Sequence, residues 1–306
     1  MAVLPRSPSR HLRRTGTPLR LLTLITVAGI AACSPADKPA PVTEQPAESI
    51  VRVVGSDYAF TMPETAPAGL TTFRFANNGK VRHELNISRL KPDVSIDSLL
   101  ATVRADKTVT DLIEGPVGVL FGEPGDSSSA GLSIDLKPGE RYAVICIFAD
   151  SAGAPQHFEM GMYKLLTVTG ESGDGGQLVA DTIVATDYAF QYPRTLSPGR
   201  HTFVMRNDGK KRHQLGIELL KKGVTVDSVL KVGKAGGDVF ALMEGAFGLL
   251  HARAGTQHIG GLTMDLLPER EYLIACFFRD TPKSPEHVDL GMYGSIVTTQ
   301  ERASGG

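Results

Sequence analysis

Period-two alternation dominates the chain from residue 50 onward. Thr71, Phe73 and Phe75 interleave with Thr72, Arg74 and Ala76, which predicts a strand with one apolar face. In the next strand His83, Leu85 and Ile87 share one side while Glu84 and Asn86 point away, so His83 faces inward where that strand begins. Runs at 50–54, at Tyr58 and Phe60, at 132–136 and at 142–148 read as further strands, with turns at Pro67-Ala68-Gly69 and Lys137-Pro138-Gly139. Tyr142, Val144 and Cys146 fall on one face. One stretch changes period: Ile96, Leu99, Leu100 and Val103 follow helical spacing behind Ser95, which is placed as a cap, predicting a short amphipathic helix. The glycine-rich stretch 115–131 lacks the Gly-Lys-Ser/Thr ending of a phosphate cradle and reads as a loop.

The pattern returns 130 residues on. Asp187-Tyr188-Ala189-Phe190 repeats Asp57-Tyr58-Ala59-Phe60, His213 with Leu215 and Ile217 repeats His83 with Leu85 and Ile87, and Thr225, Val226, Val229 and Leu230 repeat the helix start. An internal repeat of this period divides the chain into two all-β domains, expected at 50–169 and 178–299 and joined by the polar linker 170–177.

The first 33 residues follow other rules. Residues 1–20 are basic, and the apolar run 21–32 is too short to span a bilayer but suits the central segment of a secretory signal. Ile30-Ala31-Ala32-Cys33 resembles a bacterial lipobox, which implies a signal peptide over 1–33, lipidation of Cys33 and a membrane anchor in the cell envelope. Ser34 rather than Asp follows the cysteine, resembling lipoproteins of the outer membrane that face the periplasm. Residues 34–49, rich in Pro and Ala, form a disordered tether. Without the signal the net charge is about −6, a poor match for nucleic acid or an anionic membrane surface.

Three cysteines give no disulfide framework: one ends the signal, and Cys146 and Cys276 occupy the same place in each repeat. A disulfide between those two would require equivalent core strands to meet. Cys146, His157 and Met162 instead place a thiol, an imidazole and a thioether in one loop, and Cys276, His287 and Met292 do the same 130 residues later. Soft and borderline donors of this kind select copper over calcium or magnesium, and two histidines, a cysteine and a weak axial methionine make the blue-copper set.

The Asn-Asn-Gly-x-x-x-His segment at 77–83, Tyr142-x-x-x-Cys146 and His157-x-x-x-Gly161-Met162 together resemble the cupredoxins, and among them the plastocyanin-like proteins. The resemblance implies two tandem Greek-key β-sandwiches, each with a short helical insertion and one copper ion. The implied ligands are His83, Cys146, His157 and Met162 in the first copy, and His213, Cys276, His287 and Met292 in the second. Met160 rivals Met162, but Leu290 stands at the equivalent place in the second copy. Ten residues separate each cysteine from the histidine after it, a longer and less constrained loop than in plastocyanin-like proteins. His251 and His258, without counterparts in the first copy, are expected at the surface.

Such a set changes oxidation state with little rearrangement, which suits electron transfer with a redox partner protein. A copper carrier or buffer using the same ligands, and a metal-free binding module, are the alternatives. Multicopper oxidases and copper nitrite reductases share the cupredoxin fold, but the His-x-His and His-Cys-His pairs of their extra centres do not occur here, and no acid/base pair is evident. The chain is therefore expected not to be an enzyme.

Overall fold

The structure is a computed structural model that describes residues 48–171 and 178–300. The signal segment with Cys33, nearly all of the tether and most of the linker lie outside the described residues. The first repeat contains β1 (Ser49–Ser56), β2 (Ala59–Thr61), β3 (Thr65–Pro67), β4 (Gly69–Asn77), β5 (His83–Leu90), helix α1 (Ile96–Arg104), β6 (Ile113–Gly122), β7 (Ser127–Leu136), β8 (Arg141–Ile145) and β9 (Tyr163–Thr169). The second repeats the order as β10 (Asp181–Thr186), β11 (Ala189–Gln191), β12 (Thr195–Leu196), β13 (Gly199–Asn207), β14 (His213–Leu220), helix α2 (Val226–Lys234), β15 (Met243–Ala252), β16 (Gly261–Leu266), β17 (Glu271–Ala275) and β18 (Tyr293–Thr298).

Each repeat is a sandwich of two sheets. In the first, one sheet runs β2-β1-β4-β7, with β1 and β4 parallel. The other runs β3-β9-β8-β5-β6, with β3 and β9 parallel. Alternation places Phe73, Phe75, Leu85, Ile87, Leu132, Tyr142, Val144 and Cys146 in the core between them, each buried. Burial of one large apolar side chain contributes roughly 1.5–3 kcal/mol. The helix forms where its spacing predicts. Ser95 Oγ accepts from the Ser98 backbone N–H at 3.1 Å, and Thr225 caps α2 through the Ser228 N–H at 3.3 Å.

The glycine-rich stretch is not a loop. Most of it forms β6 and the start of β7, and these two edge strands pair with the other repeat. β7 lies antiparallel to β16 with Leu132 opposite Leu262, and β6 antiparallel to β15 with Val119 opposite Leu249. In both pairs a residue meets its own equivalent 130 positions away, so the repeats are related by a pseudo-two-fold axis. Ser133 Oγ and Thr263 Oγ1, also equivalents, lie 2.6 Å apart. Thr72 hydrogen-bonds Ser133 on one side and Thr202 bonds Thr263 at 2.8 Å on the other, making a chain of four hydroxyls whose inner three residues are buried. Pairing of this kind removes two exposed sheet edges from each repeat. It also explains the glycines. A Cβ on Gly118 would stand 3.1 Å from the Leu249 carbonyl oxygen across the pair, and one on Gly248 3.1 Å from that of Val119, besides meeting Leu132 and Leu262 of their own repeats at 2.4 Å.

The same interface corrects two further expectations. Thr72 and Glu84, placed on outward faces by alternation, are buried. His258 is buried and His251 half-buried, their rings edge to face at 6.0 Å beside a cavity of about 540 Å³ that Asn86, Gln156 and Arg212 also line. These two histidines belong to the contact between copies rather than to the surface. Cys146 and Cys276 are both free.

Candidate metal centre

Three buried donors converge at one end of each sandwich. His83 opens β5, Cys146 follows the last residue of β8, and His157 begins a short 3-10 turn, His157–Met160. The turn before His83 is shaped by Asn77. Its Nδ2 donates to the carbonyls of Val81 at 2.8 Å and Gly122 at 2.9 Å, and its Oδ1 accepts from the Gly79 N–H at 2.8 Å. Gly79 is required for space: a Cβ there would lie 2.9 Å from both His83 Nε2 and Asp57 Oδ1. Asn207 repeats all three bonds in the second copy.

The ten-residue loop is closed at its base. The His157 N–H donates to Phe148 O at 2.8 Å, Phe158 N–H to Cys146 O at 2.9 Å, and Cys146 N–H to Met162 O at 3.1 Å. His287, Val288 and Cys276 make the equivalent bonds to Phe278, Cys276 and Met292. The extra residues bulge outward beyond this clamp, so the length of the loop does not loosen the histidine. Helix α1 supports the clamp from outside, with Leu100 packed on Ile145 and Phe158.

In the first site His83 Nδ1 and His157 Nδ1 are 2.9 Å apart, and His157 Nδ1 is 3.4 Å from Cys146 Sγ. In the second, the Nδ1 atoms of His213 and His287 are 3.0 Å apart and lie 4.0 and 3.4 Å from Cys276 Sγ. A triangle with those edges has a centre about 2 Å from each corner, the length of a metal bond to imidazole. All six residues are fully buried. Burial pushes the Cys146 thiol up to about 12 and raises that of Cys276. Burial also lowers His83 and His213, keeping those imidazoles neutral. Two imidazoles and a thiol that gives up its proton only when a cation takes its place form a donor set that fits a borderline metal ion. Met162 and Met292 are fully buried beside each cysteine, whereas Met160 and Leu290 are exposed.

Around these donors stand residues that motif reading passed over. Asp150 Oδ1 accepts from His157 Nε2 at 3.0 Å and its other oxygen accepts from Tyr58 O–H at 2.8 Å. A carboxylate on the outer nitrogen fixes the ring tautomer and turns the Nδ1 lone pair toward Cys146. Tyr58 also packs its ring edge-on to His157 at 5.0 Å, from a left-handed backbone (φ 63°) that a tyrosine seldom adopts. Tyr188 (φ 65°) and Asp280 occupy the same positions in the second copy. Their signal in the sequence is the 130-residue recurrence of Asp57-Tyr58 and of Asp150.

No family model and no curated protein matches the chain. Among solved structures, auracyanin A, a blue copper protein from Chloroflexus aurantiacus, is 15% identical and covers 40% of this chain and 100% of its own, with a TM-score of 0.28. A multicopper oxidase is 12% identical over 82% of this chain and 88% of its own (TM-score 0.25), and the copper nitrite reductase of Nitrosomonas europaea is 15% identical over 83% and 94% (TM-score 0.23). The all-β sandwich class expected from the sequence stands on the strand pairing within each repeat. The expectation that the chain is not an enzyme is corrected by the solved structures, because enzymes stand among the matches. Missing His-x-His and His-Cys-His pairs exclude particular extra centres, not every reaction, since a reactive site can be assembled from residues far apart in sequence.

Proposed function

We propose that the chain binds one copper ion per repeat at His83, Cys146, His157 and Met162 and at His213, Cys276, His287 and Met292, and that it transfers electrons. The observation that carries this reading is the convergence, in both repeats, of two imidazole Nδ1 atoms and a thiol within 4.8 Å of one another in a fully buried pocket. Copper held by such a set cycles between Cu(I) and Cu(II) without a change of ligands. The chain's own part is to hold the donors rigid. The backbone clamp sets the positions of cysteine and second histidine, the Asn77 and Asn207 turns set the first, and the buried surroundings exclude water. The N–H of Glu84 points at Cys146 Sγ at 3.4 Å and that of Gln214 at Cys276 Sγ at 3.1 Å, which tempers the thiolate's electron donation. In the same proposal the chain is a lipoprotein anchored through Cys33 in the envelope, with a redox protein as partner.

Copper-loaded, desalted protein is expected to retain two ions per chain and to show an intense thiolate-to-copper band. Cys146→Ser and Cys276→Ser should each remove one site's share of it. A protein that retains copper with no such band in any variant would overturn the reading.

A further inference from the structure

The two sites are equivalent in their donors but not in their charge. In the second repeat Lys211 Nζ lies 3.0 Å from Asp280 Oδ2, and the equivalent residue of the first repeat is Val81. Among the described residues no lysine or arginine pairs with Asp150 in the first site, and its Oδ1 holds His157 Nε2 at 3.0 Å. Asp280, drawn to Lys211, stands 3.4 Å from His287 Nε2. Resting on the copper reading above, we propose that Lys211 sets the second site to a higher reduction potential than the first, so that the chain carries two unlike redox centres.

The physical argument has one sign throughout. An uncompensated carboxylate on a ligand's outer nitrogen increases the ring's basicity and favours the more highly charged oxidised ion. Neutralising that carboxylate with an ammonium favours the reduced ion and raises the potential. Two other differences act in the same direction. Glu84, whose N–H faces Cys146 Sγ, is replaced in the second repeat by Gln214, which removes a carboxyl from beside the thiolate. The N–H to sulfur contact is also shorter in the second site, 3.1 Å against 3.4 Å, and withdraws more density from the thiolate. The remaining nearby charges do not reverse the sign. Asp187 lies 3.5 Å from His213 Nε2 and acts against this sign, but it is shared with the backbone N–H groups of Lys210 and Lys211 at 2.7 and 3.1 Å, and Glu286, which replaces Gln156, is paired with Arg279 at 2.9 Å. Lys211 and Asp280 are partly exposed, so salt should screen the effect.

Lys211 acts through Asp280 and is a positioning residue, and the test reads potential rather than activity. Each site is isolated in the full chain by Cys276→Ser or Cys146→Ser, loaded with copper, and titrated spectro-electrochemically at low and high salt. The second site is expected to titrate at the higher potential. Lys211→Val should lower it, Lys211→Arg should preserve it, and Val81→Lys should raise the first site, each shift shrinking with salt. A thiolate-to-copper band at both sites with equal potentials, or potentials that Lys211→Val and Val81→Lys leave unmoved, overturns this inference and leaves the copper reading standing. If only one site shows the band, the variant at that site decides in the same way. Absence of the band at both sites overturns the copper reading and this inference with it.

Discussion

In the first repeat Asp150 commits one oxygen to His157 and the other to Tyr58, at 3.0 and 2.8 Å. In the second, Asp280 divides itself among Lys211 at 3.0 Å, Tyr188 at 3.3 Å and His287 at 3.4 Å. The backbone clamp, the turn asparagine, the inverted tyrosine and the three donors are the same in both. A change from valine to lysine, outside the donor set, redistributes the contacts behind an otherwise duplicated site. Duplication thus preserves what geometry demands of every copy and leaves the surrounding charge free to diverge. The repeats diverge in the same manner at their contact, where Phe121 and Ser128 of the first are replaced by His251 and His258 of the second.

The largest effect expected outside the donors tests how far the pseudo-symmetry holds. Gly118 and Gly248 are equivalents with the same crowding, but only Gly118 has a positive φ, 141°. In Gly118→Ala the new methyl meets the buried Leu132 and stands 3.1 Å from the Leu249 carbonyl in a backbone region that L-residues avoid, and stability should fall by about 3 kcal/mol. Gly248→Ala adds crowding alone and should cost about 2 kcal/mol. Urea unfolding midpoints at unchanged m-value measure both. Equal losses would mean that the backbone strain at Gly118 adds nothing.

Acid unfolding sharpens the comparison at the contact between repeats. Burial holds His258 at about 4, below the ordinary value of 6.5. The folded chain therefore stays unprotonated where the unfolded chain takes up a proton, and the stability from this group is complete above pH 6.5 and lost as pH falls toward 4. The slope approaches roughly 1.4 kcal/mol per pH unit in that window. His258→Ser, which restores the residue of the first repeat, should flatten this limb in unfolding measured between pH 7 and 4. Glu218, whose buried carboxyl is pushed well above its usual range, acts in the opposite direction in both proteins, so their difference isolates the histidine. An unchanged limb in His258→Ser would show that His258 is solvated in the folded chain.

The smallest effect concerns the outer carboxylates. Asp150→Asn removes the negative charge of the carboxylate that orients the His157 ring and should weaken copper binding at the first site about tenfold in a competition titration. Asp280→Asn should weaken the second site less, because Lys211 already holds that carboxylate away from the ring. The reverse order would show that the 3.4 Å contact in the second site is the stronger one.

The sequence alone carried the strand pattern, the repeat, the capped helix and the eight candidate donors, because each depends on local periodicity or on residue types at fixed spacing. His83 lies on the face of Leu85 and Ile87, Cys146 on that of Tyr142 and Val144, and Ser95 at the helix start, all as alternation and spacing predict. Tertiary structure decided what depends on a second surface. Glycines at 115–131 read as a loop because glycine is a weak strand former, and only the pairing of β6 with β15 and β7 with β16 shows that the missing side chains make room for another strand. The ten-residue separation of Cys146 from His157 looked loose because hydrogen bonds from His157 to Phe148 and from Phe158 to Cys146 leave no mark in residue spacing. Asp150 and Lys211 belong to no sequence motif for the same reason: their roles arise from which histidine, tyrosine or carboxylate the folded backbone brings within about 3 Å of them.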